Sequence, residues 1–185
     1  GYFENGFRHI SNKERAIHLP EDLDGLKIRM LPSDTHVRTF DLLGAVPLRM
    51  DLTEAIEGVI DGSLDAQENP LANTVTYGVH KYHHFHTLSG HFYLSRGVYG
   101  NRESVDGWPE ELRTAMRAAV QEATAYQRGL AVAEEEISQQ ALVAENCEIT
   151  ELSDEERSAF RAAVAPMYDE ARAQFGNTMF DLLEG

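Results

Sequence analysis

Between Leu26 and Asn69 the sequence switches repeatedly between two periodicities, and that alternation limits the fold more than any other feature. Leu26-Lys27-Ile28-Arg29-Met30-Leu31 has period two, with Leu26, Ile28 and Met30 on one face and Lys27, Arg29 and Leu31 on the other. Ser33 and Asp34 are N-cap candidates for a helix through Phe40, Leu42 and Leu43 that Gly44 closes. Val46 to Met50 is a short extended piece. Asp51 or Thr53 then caps a helix carrying Ala55, Ile56, Val59 and Ile60, which ends before Gly62. Leu64 to Glu68 is the next strand, and Pro70 stops it. Strands that alternate with helices imply parallel pairing in an α/β sheet.

The flanks extend this pattern. Gly6 to Asn12 alternates like a strand, and Pro20 to Gly25 reads as one helical turn. Leu71 to Val79 is a short helix, followed by extended stretches over Thr87–Leu94 and Val98–Asn101. Trp108-Pro109-Glu110 starts a long helix in which Leu112, Met116, Val120, Ala123 and Leu130 recur at helical spacing. It runs to about Gln140, long enough to bridge two lobes, with Gly129 as its weak point. Cys147 to Leu152 is a further strand. Ser153 and Glu156 form a capping box for one helix with an apolar stripe of Phe160, Val164, Met167, Tyr168 and Ala171. Gly176 ends it, and Thr178 to Leu183 makes a last amphipathic turn or two.

Charge narrows the partners. The chain has 16 basic and 31 acidic residues, a formal charge of −15. Nucleic acid needs a basic surface and anionic lipid attracts one, so neither partner is expected. No apolar run approaches a membrane span, so no membrane insertion is expected. Gly-Tyr-Phe-Glu-Asn lacks the basic region and apolar core of a signal peptide, and the chain is expected to be a processed or truncated form. The lone Cys147 reads as a small buried side chain without a role.

Catalytic signatures are missing. There is no GxSxG, no glycine-rich phosphate loop and no HExxH. Most acidic residues fall on solvated helix faces and none forms a persuasive general acid/base pair, so no enzyme, no catalytic residue and no cofactor are expected. Five histidines, His80, His83, His84, His86 and His91, lie within twelve residues. On a strand His84 and His86 would share a face and could ligate zinc; on a helix His80 and His84 would pair. No nearby cysteine or carboxylate completes a set. Scattered surface and interface histidines explain the cluster better, and a zinc-binding protein or metalloenzyme stands as the competing reading.

Arg29 lies near the carboxyl end of its strand, where ligands bind in open α/β sheets. Asp65, Gln67, Glu68 and Asn69 crowd another strand end. Arg8, taken alone, reads as a solvent-facing strand arginine.

Ordered pieces of the chain resemble one family. Gly6-Phe7-Arg8, Ser11-Asn12, Pro20 to Arg29, Leu43-Gly44-Ala45-Val46-Pro47, Met50, Glu54, Gly62, Asp65 to Pro70, Lys81-Tyr82, Gly90-His91 and Trp108 to Glu111 are similar to the DctP-type solute-binding proteins of TRAP (tripartite ATP-independent periplasmic) transporters. The match is dense from Gly6 to about Gln127. The resemblance implies that Arg29 holds a ligand carboxylate by a two-pronged salt bridge, which suits a planar guanidinium. Arg8 would add a second contact and Asn69 a side-chain hydrogen bond. Leu48 and Leu71 fall where family members place pocket walls. Arg49 departs from the family pattern, and would meet a second anionic group or, preferably, pair with Asp51 at the surface. Gln67 and Glu68 are expected to brace the strand end.

The resemblance also implies an α/β, type II periplasmic-binding-protein-like fold, two lobes with a long connecting helix, the first lobe largely missing. Residues 1–92 and 134–185 would form the second lobe. Residues 93–133 would be a crossing segment and long helix belonging partly to the first. The implied function is capture of a small organic carboxylate in the periplasm, by hinge closure, and its delivery to the membrane subunits of a TRAP transporter.

Overall fold

The computed structural model describes residues 1–184. One six-stranded mixed sheet forms its centre. The strands are β1 (Tyr2–Asn12), β2 (Lys27–Met30), β3 (Val46–Arg49), β4 (Ala66–Asn69), β5 (Phe85–Gly97) and β6 (Glu148–Glu151), in the spatial order β3-β2-β4-β1-β5-β6. The helices are α1 (Asp34–Leu42), α2 (Leu52–Asp61), α3 (Leu71–Thr76), α4 (Arg102–Asp106), α5 (Glu110–Ala144), α6 (Asp154–Ala163), α7 (Ala165–Phe175) and α8 (Thr178–Glu184).

The helix-separated strands pair as their period implies. β2 runs parallel to β3 and to β4, and β5 parallel to β6. β1 does not follow the expected parallel pattern: it lies antiparallel to both β4 and β5. Only a single 3-10 turn, Pro20–Leu23, separates β1 from β2. Without a crossover helix the chain does not return β1 parallel to its neighbours. β1 is also bent. Its register against β5 shifts between Glu4 and Gly6 and again between Arg8 and Ile10, so Phe7 and Arg8 lie between two irregularities that re-aim side chains. Gly6 has φ +98°, a conformation that a residue with a Cβ rarely adopts.

Capping sets the helix ends. The Asp51 carboxylate accepts the Glu54 N–H at 2.9 Å and starts α2, while Gly62 at φ 78° ends it. The expected Ser153–Glu156 capping box is formed. The stripe it opens is not one helix, however. The chain breaks at Val164 between α6 and α7, because Pro166 has no N–H for the helical ladder. α3 is shorter than expected and stops at Thr76 before Gly78 at φ 72°. α5 runs for 35 residues, straight through Gly129.

Two apolar clusters flank the sheet. One joins Ile10, Ile28, Met30 and Ala66 of the sheet to Phe40 and Leu43 of α1 and its end, with Phe160 and Val164 beside it. The other seats Ala55 and Val59 of α2 against Leu64 and Val79, with Leu48 and Met50 at its edge. Phe40 is fully buried in the first cluster. Phe40→Ala should lower the unfolding free energy by roughly 3–5 kcal/mol. In urea the midpoint should fall while the slope stays constant, which marks lost packing and not a changed native state.

Candidate functional site

The carboxyl ends of β2 and β4 lie side by side, with Arg29 in register with Gln67. Next to them β1 places His9 opposite Asn69 and Ile10 opposite Glu68. Three strands from distant parts of the sequence therefore bring Arg8, Arg29, Gln67, Glu68 and Asn69 to one end of the sheet.

Arg29 is 5% exposed. Its Nε donates to the Met50 carbonyl at 3.1 Å, and among the described residues Nη1 and Nη2 carry no hydrogen bond. Burial lowers its pKa, against which the Glu68 carboxylate acts. A guanidinium fixed at Nε with its outer edge unused can receive a carboxylate through two parallel bonds.

Arg8 is 2% exposed and not solvent-facing. Its Nε and Nη2 bridge the Glu68 carboxylate, the Nη2–Oε1 bond measuring 2.8 Å. Nη2 also donates to the Glu68 carbonyl at 2.6 Å and to Asn69 Oδ1 at 3.0 Å. Glu68 is fully buried and meets His91 Nε2 at 3.3 Å through Oε2. Burial raises the carboxyl pKa of Glu68, but the hydrogen bonds from His91 and Arg8 outweigh it and hold the group below its ordinary value. Glu68 thus fastens Arg8 across the strands, the bracing role read from its position.

Asn69 is 6% exposed and engaged on both sides of its amide. Beyond the Arg8 contact, its Nδ2 donates to Gln67 Oε1 at 2.6 Å. Gln67 in turn donates to Ser11 Oγ at 2.7 Å and to Thr74 Oγ1 at 3.2 Å, and Ser11 Oγ lies 3.1 Å from His83 Nδ1. Sequence reasoning missed Ser11, Thr74, His83 and His91 as members of this network, which joins residues far apart in the chain and left no local signal.

The remaining expected site residues lie further out. Leu71 is 1% exposed at the start of α3, and Leu48 packs on the α2 cluster. Arg49 pairs with Asp34 Oδ1 at 2.5 Å on the surface, not with Asp51. The Asp51 carboxylate is occupied as the cap of α2. A cavity of about 500 Å³ lies elsewhere, between α1 and α6 to α8, lined by Leu43, Phe160 and Met167 among others. None of the residues expected to contact a ligand lines it; its wall is mostly apolar and also carries Arg157, Arg161 and His91.

The histidines do not form a metal centre. His84 is exposed in the turn before β5, so it shares no strand face with buried His86. Among the described residues no group of three metal-ligating side chains comes together. Burial, first of all, lowers the pKa of His9 to about 4, of His83 to about 3 and of His86 to about 4. Folded, these rings take protons only well below the ordinary 6.5, whereas the unfolded chain takes them at that value. Their contribution is whole above the unfolded value and is lost as pH falls toward the folded ones. Glu68, with a depressed folded pKa, adds loss of the same sign below 4.5. Melting temperature should therefore be level above neutrality and fall steadily from about pH 6.5 to 4. A level profile across that window would mean that the imidazoles are not held neutral.

The Arg8–Glu68 pair gives a second expectation. Glu68→Ala leaves a buried guanidinium uncompensated and should cost about 3–5 kcal/mol in urea unfolding, whereas Arg8→Met with Glu68→Leu should restore most of that loss.

Comparison with known proteins follows this geometry. A family model, DctP, described as bacterial extracellular solute-binding protein, family 7, matches residues 1–174. The C4-dicarboxylate-binding periplasmic protein DctP of Rhodobacter capsulatus is 34% identical over 176 residues, 95% of this chain and 53% of that protein. The 2,3-diketo-L-gulonate-binding periplasmic protein YiaO of Escherichia coli K12 is 35% identical over 135 residues, 73% of this chain and 41% of that protein. The chain thus spans about half the length of the curated relatives it matches. Among solved structures, a TRAP periplasmic solute-binding protein of Sulfitobacter with bound β-D-galacturonate superposes with a TM-score of 0.91 at 25% identity, covering 98% of this chain and 59% of that one. One from Ralstonia eutropha H16 with bound (S)-2-acetolactate gives 0.88 at 31% identity, covering 95% and 58%.

Proposed function

Because the chain belongs to the bacterial extracellular solute-binding proteins of family 7, we propose that it binds a small organic carboxylate in the periplasm and hands it to the membrane subunits of a TRAP transporter. The observation that carries this reading is Arg29, a buried guanidinium tied down at Nε with its outer edge unused at the carboxyl end of a parallel strand. In the reading, Arg29 takes the carboxylate in a two-pronged salt bridge, and Arg8 and Asn69 complete the polar contacts. Exclusion of water around these groups would strengthen every one of those bonds. Leu48 and Leu71 would form apolar wall. Arg49, held by Asp34, would stay outside the pocket.

Binding rather than catalysis is the proposed work, with no bond made or broken. The ligand would stabilise a closed form by contacting two lobes at once, which shifts the population toward closure. Residues 1–92 and 134–185 would belong to one lobe, and 93–133 would cross toward the other. Exposed apolar side chains in that crossing segment support the division: Tyr99, Leu112, Met116, Tyr126, Leu130 and Val132 are between 44% and 88% exposed. No helix among the described residues is long and apolar enough to cross a membrane, as suits a receptor that works beside one.

A thermal-shift screen of dicarboxylates, keto acids and sugar acids on the full-length protein tests the proposal. At least one acid should raise the melting temperature, and Arg29→Ala should abolish that rise, as RT ln(1 + [L]/Kd) vanishes when Kd climbs above the concentration used. An equal response in the variant would eliminate the carboxylate clamp.

A further inference from the structure

The cavity of about 500 Å³ takes no part in the proposed carboxylate site. It lies between the sheet and helices α1, α6, α7 and α8, and its size falls in the range of roughly 300–1,000 Å³ common to small-molecule sites. Its inner wall is apolar and dry: Ile10, Leu43 and Leu152 are each no more than 7% exposed. Its mouth carries the exposed residues Thr35 and Arg161. Charge is unevenly placed around it. The chain has 31 acidic and 16 basic residues, yet among the described residues that line the cavity none is Asp or Glu and two are arginines. Arg157 donates through Nη1 to the Ser89 carbonyl at 3.1 Å and through Nη2 to the Leu88 carbonyl at 3.2 Å. Those bonds fix the guanidinium without giving its charge a carboxylate. Arg161 follows one turn along α6, and among the described residues it has neither a hydrogen bond nor an ion pair. The Glu170 carboxylate of α7 goes to Arg38 instead, at 3.1 Å. His91 offers no free donor, since Ser89 and Glu68 meet its two ring nitrogens.

An apolar recess edged by uncompensated positive charge suits an amphipathic anion. Alkyl carbon gains by leaving water for such a wall. A polyhydroxylated ligand would lose hydration there without enough partners, and a cation would meet like charge. We propose that this cavity is a second binding site, for a monocarboxylate with a short to medium alkyl chain. The chain lies against Ile10, Leu43 and Leu152, and the carboxylate meets Arg161 at the mouth, with the fixed charge of Arg157 in the wall. This site is separate from Arg29 and does not depend on the role proposed for that residue.

Calorimetric titration of the full-length protein with butyrate, hexanoate and octanoate tests this. Octanoate should bind, and each methylene added along the series should tighten binding by about fourfold. 1-Octanol keeps the chain without the charge and should bind about tenfold more weakly, while octylammonium should not bind measurably. Arg161→Gln should weaken octanoate by about tenfold and leave 1-octanol within about threefold of wild type. Ala171→Phe puts a ring into the recess and should abolish binding of both; if that variant does not fold, Thr35→Trp at the exposed mouth is read in its place. The proposal is overturned by no octanoate binding, by a flat chain-length series, or by 1-octanol or octylammonium bound as tightly as octanoate. Octanoate binding that survives unchanged in Arg161→Gln or in the folded cavity-filling variant overturns it too. Arg29→Ala should bind octanoate like wild type. If it loses octanoate while the cavity variants keep it, the acid sits on Arg29: the second site fails and the carboxylate clamp stands. If octanoate behaves as expected but no acid of the thermal-shift screen depends on Arg29, the clamp fails and the second site stands.

Discussion

The buried ion pair between Arg8 and Glu68 is the constraint on which the polar end of this sheet depends. It joins the central strand β1 to β4 across 60 residues of sequence, through two contacts to the carboxylate and one to the backbone carbonyl. A charge that is 2% exposed is tolerable only with such a partner, since an unpaired buried ion carries a penalty of several kcal/mol. Once Arg8 is fixed, the same Nη2 that meets Glu68 also reaches Asn69 Oδ1, and the Asn69 amide in turn bonds Gln67. His91 closes the other side of Glu68 and connects it to Ser89. Few freedoms are left around Arg29, which stands ready because its neighbours are committed.

This division of labour explains why the two arginines differ in character. Arg8 spends Nε and Nη2 on the protein. Among the described residues Arg29 spends only Nε, on the Met50 carbonyl. Both are buried, and residue type does not distinguish them. What separates them is strand direction. β2 is parallel to β4 and presents Arg29 at the shared carboxyl end, whereas antiparallel β1 brings Arg8 to that end from the opposite sense. The two register shifts in β1 complete the placement by turning the Phe7–Arg8 pair relative to β5.

Local signals in the sequence predicted the local elements well. Period two marked β2, helical spacing marked α5, Gly62 marked the end of α2, and Ser153 with Glu156 marked the start of α6, whereas the reversal at Gly78 was read as helix. The break at Val164 was also written locally, in Pro166, but the apolar stripe across it masked the signal. Long-range choices were less visible. Nothing in Phe7-Arg8-His9 states that this strand sits in the middle of the sheet, or that its arginine meets Glu68 and not water. Arg49 shows the same limit: Asp51 is nearer in sequence, but capping of α2 claims that carboxylate and leaves Asp34 as partner. The choice of Arg29, Arg8 and Asn69 as a group came from likeness to known receptors; the sequence pattern placed Arg29 and Asn69 at two strand ends and left Arg8 facing solvent.

α5 has a mechanical consequence beyond packing. Its 35 residues make a rod about 52 Å long at 1.5 Å rise per residue. A rod of that length is a lever: tilting one end by about 5° carries the other through roughly 4–5 Å, by simple trigonometry on that rise. It is held where Leu142 is wholly buried and again at mid-length, where the Gln127 amide bonds both the N–H and the carbonyl of Glu4, while most of its earlier turns are exposed. Gly129 sits near the middle of the rod, with no atom within 4 Å of where a Cβ would stand. The lever arm that matters is the part beyond the Gln127–Glu4 contact, so an angular change there moves the far tip by about half that distance.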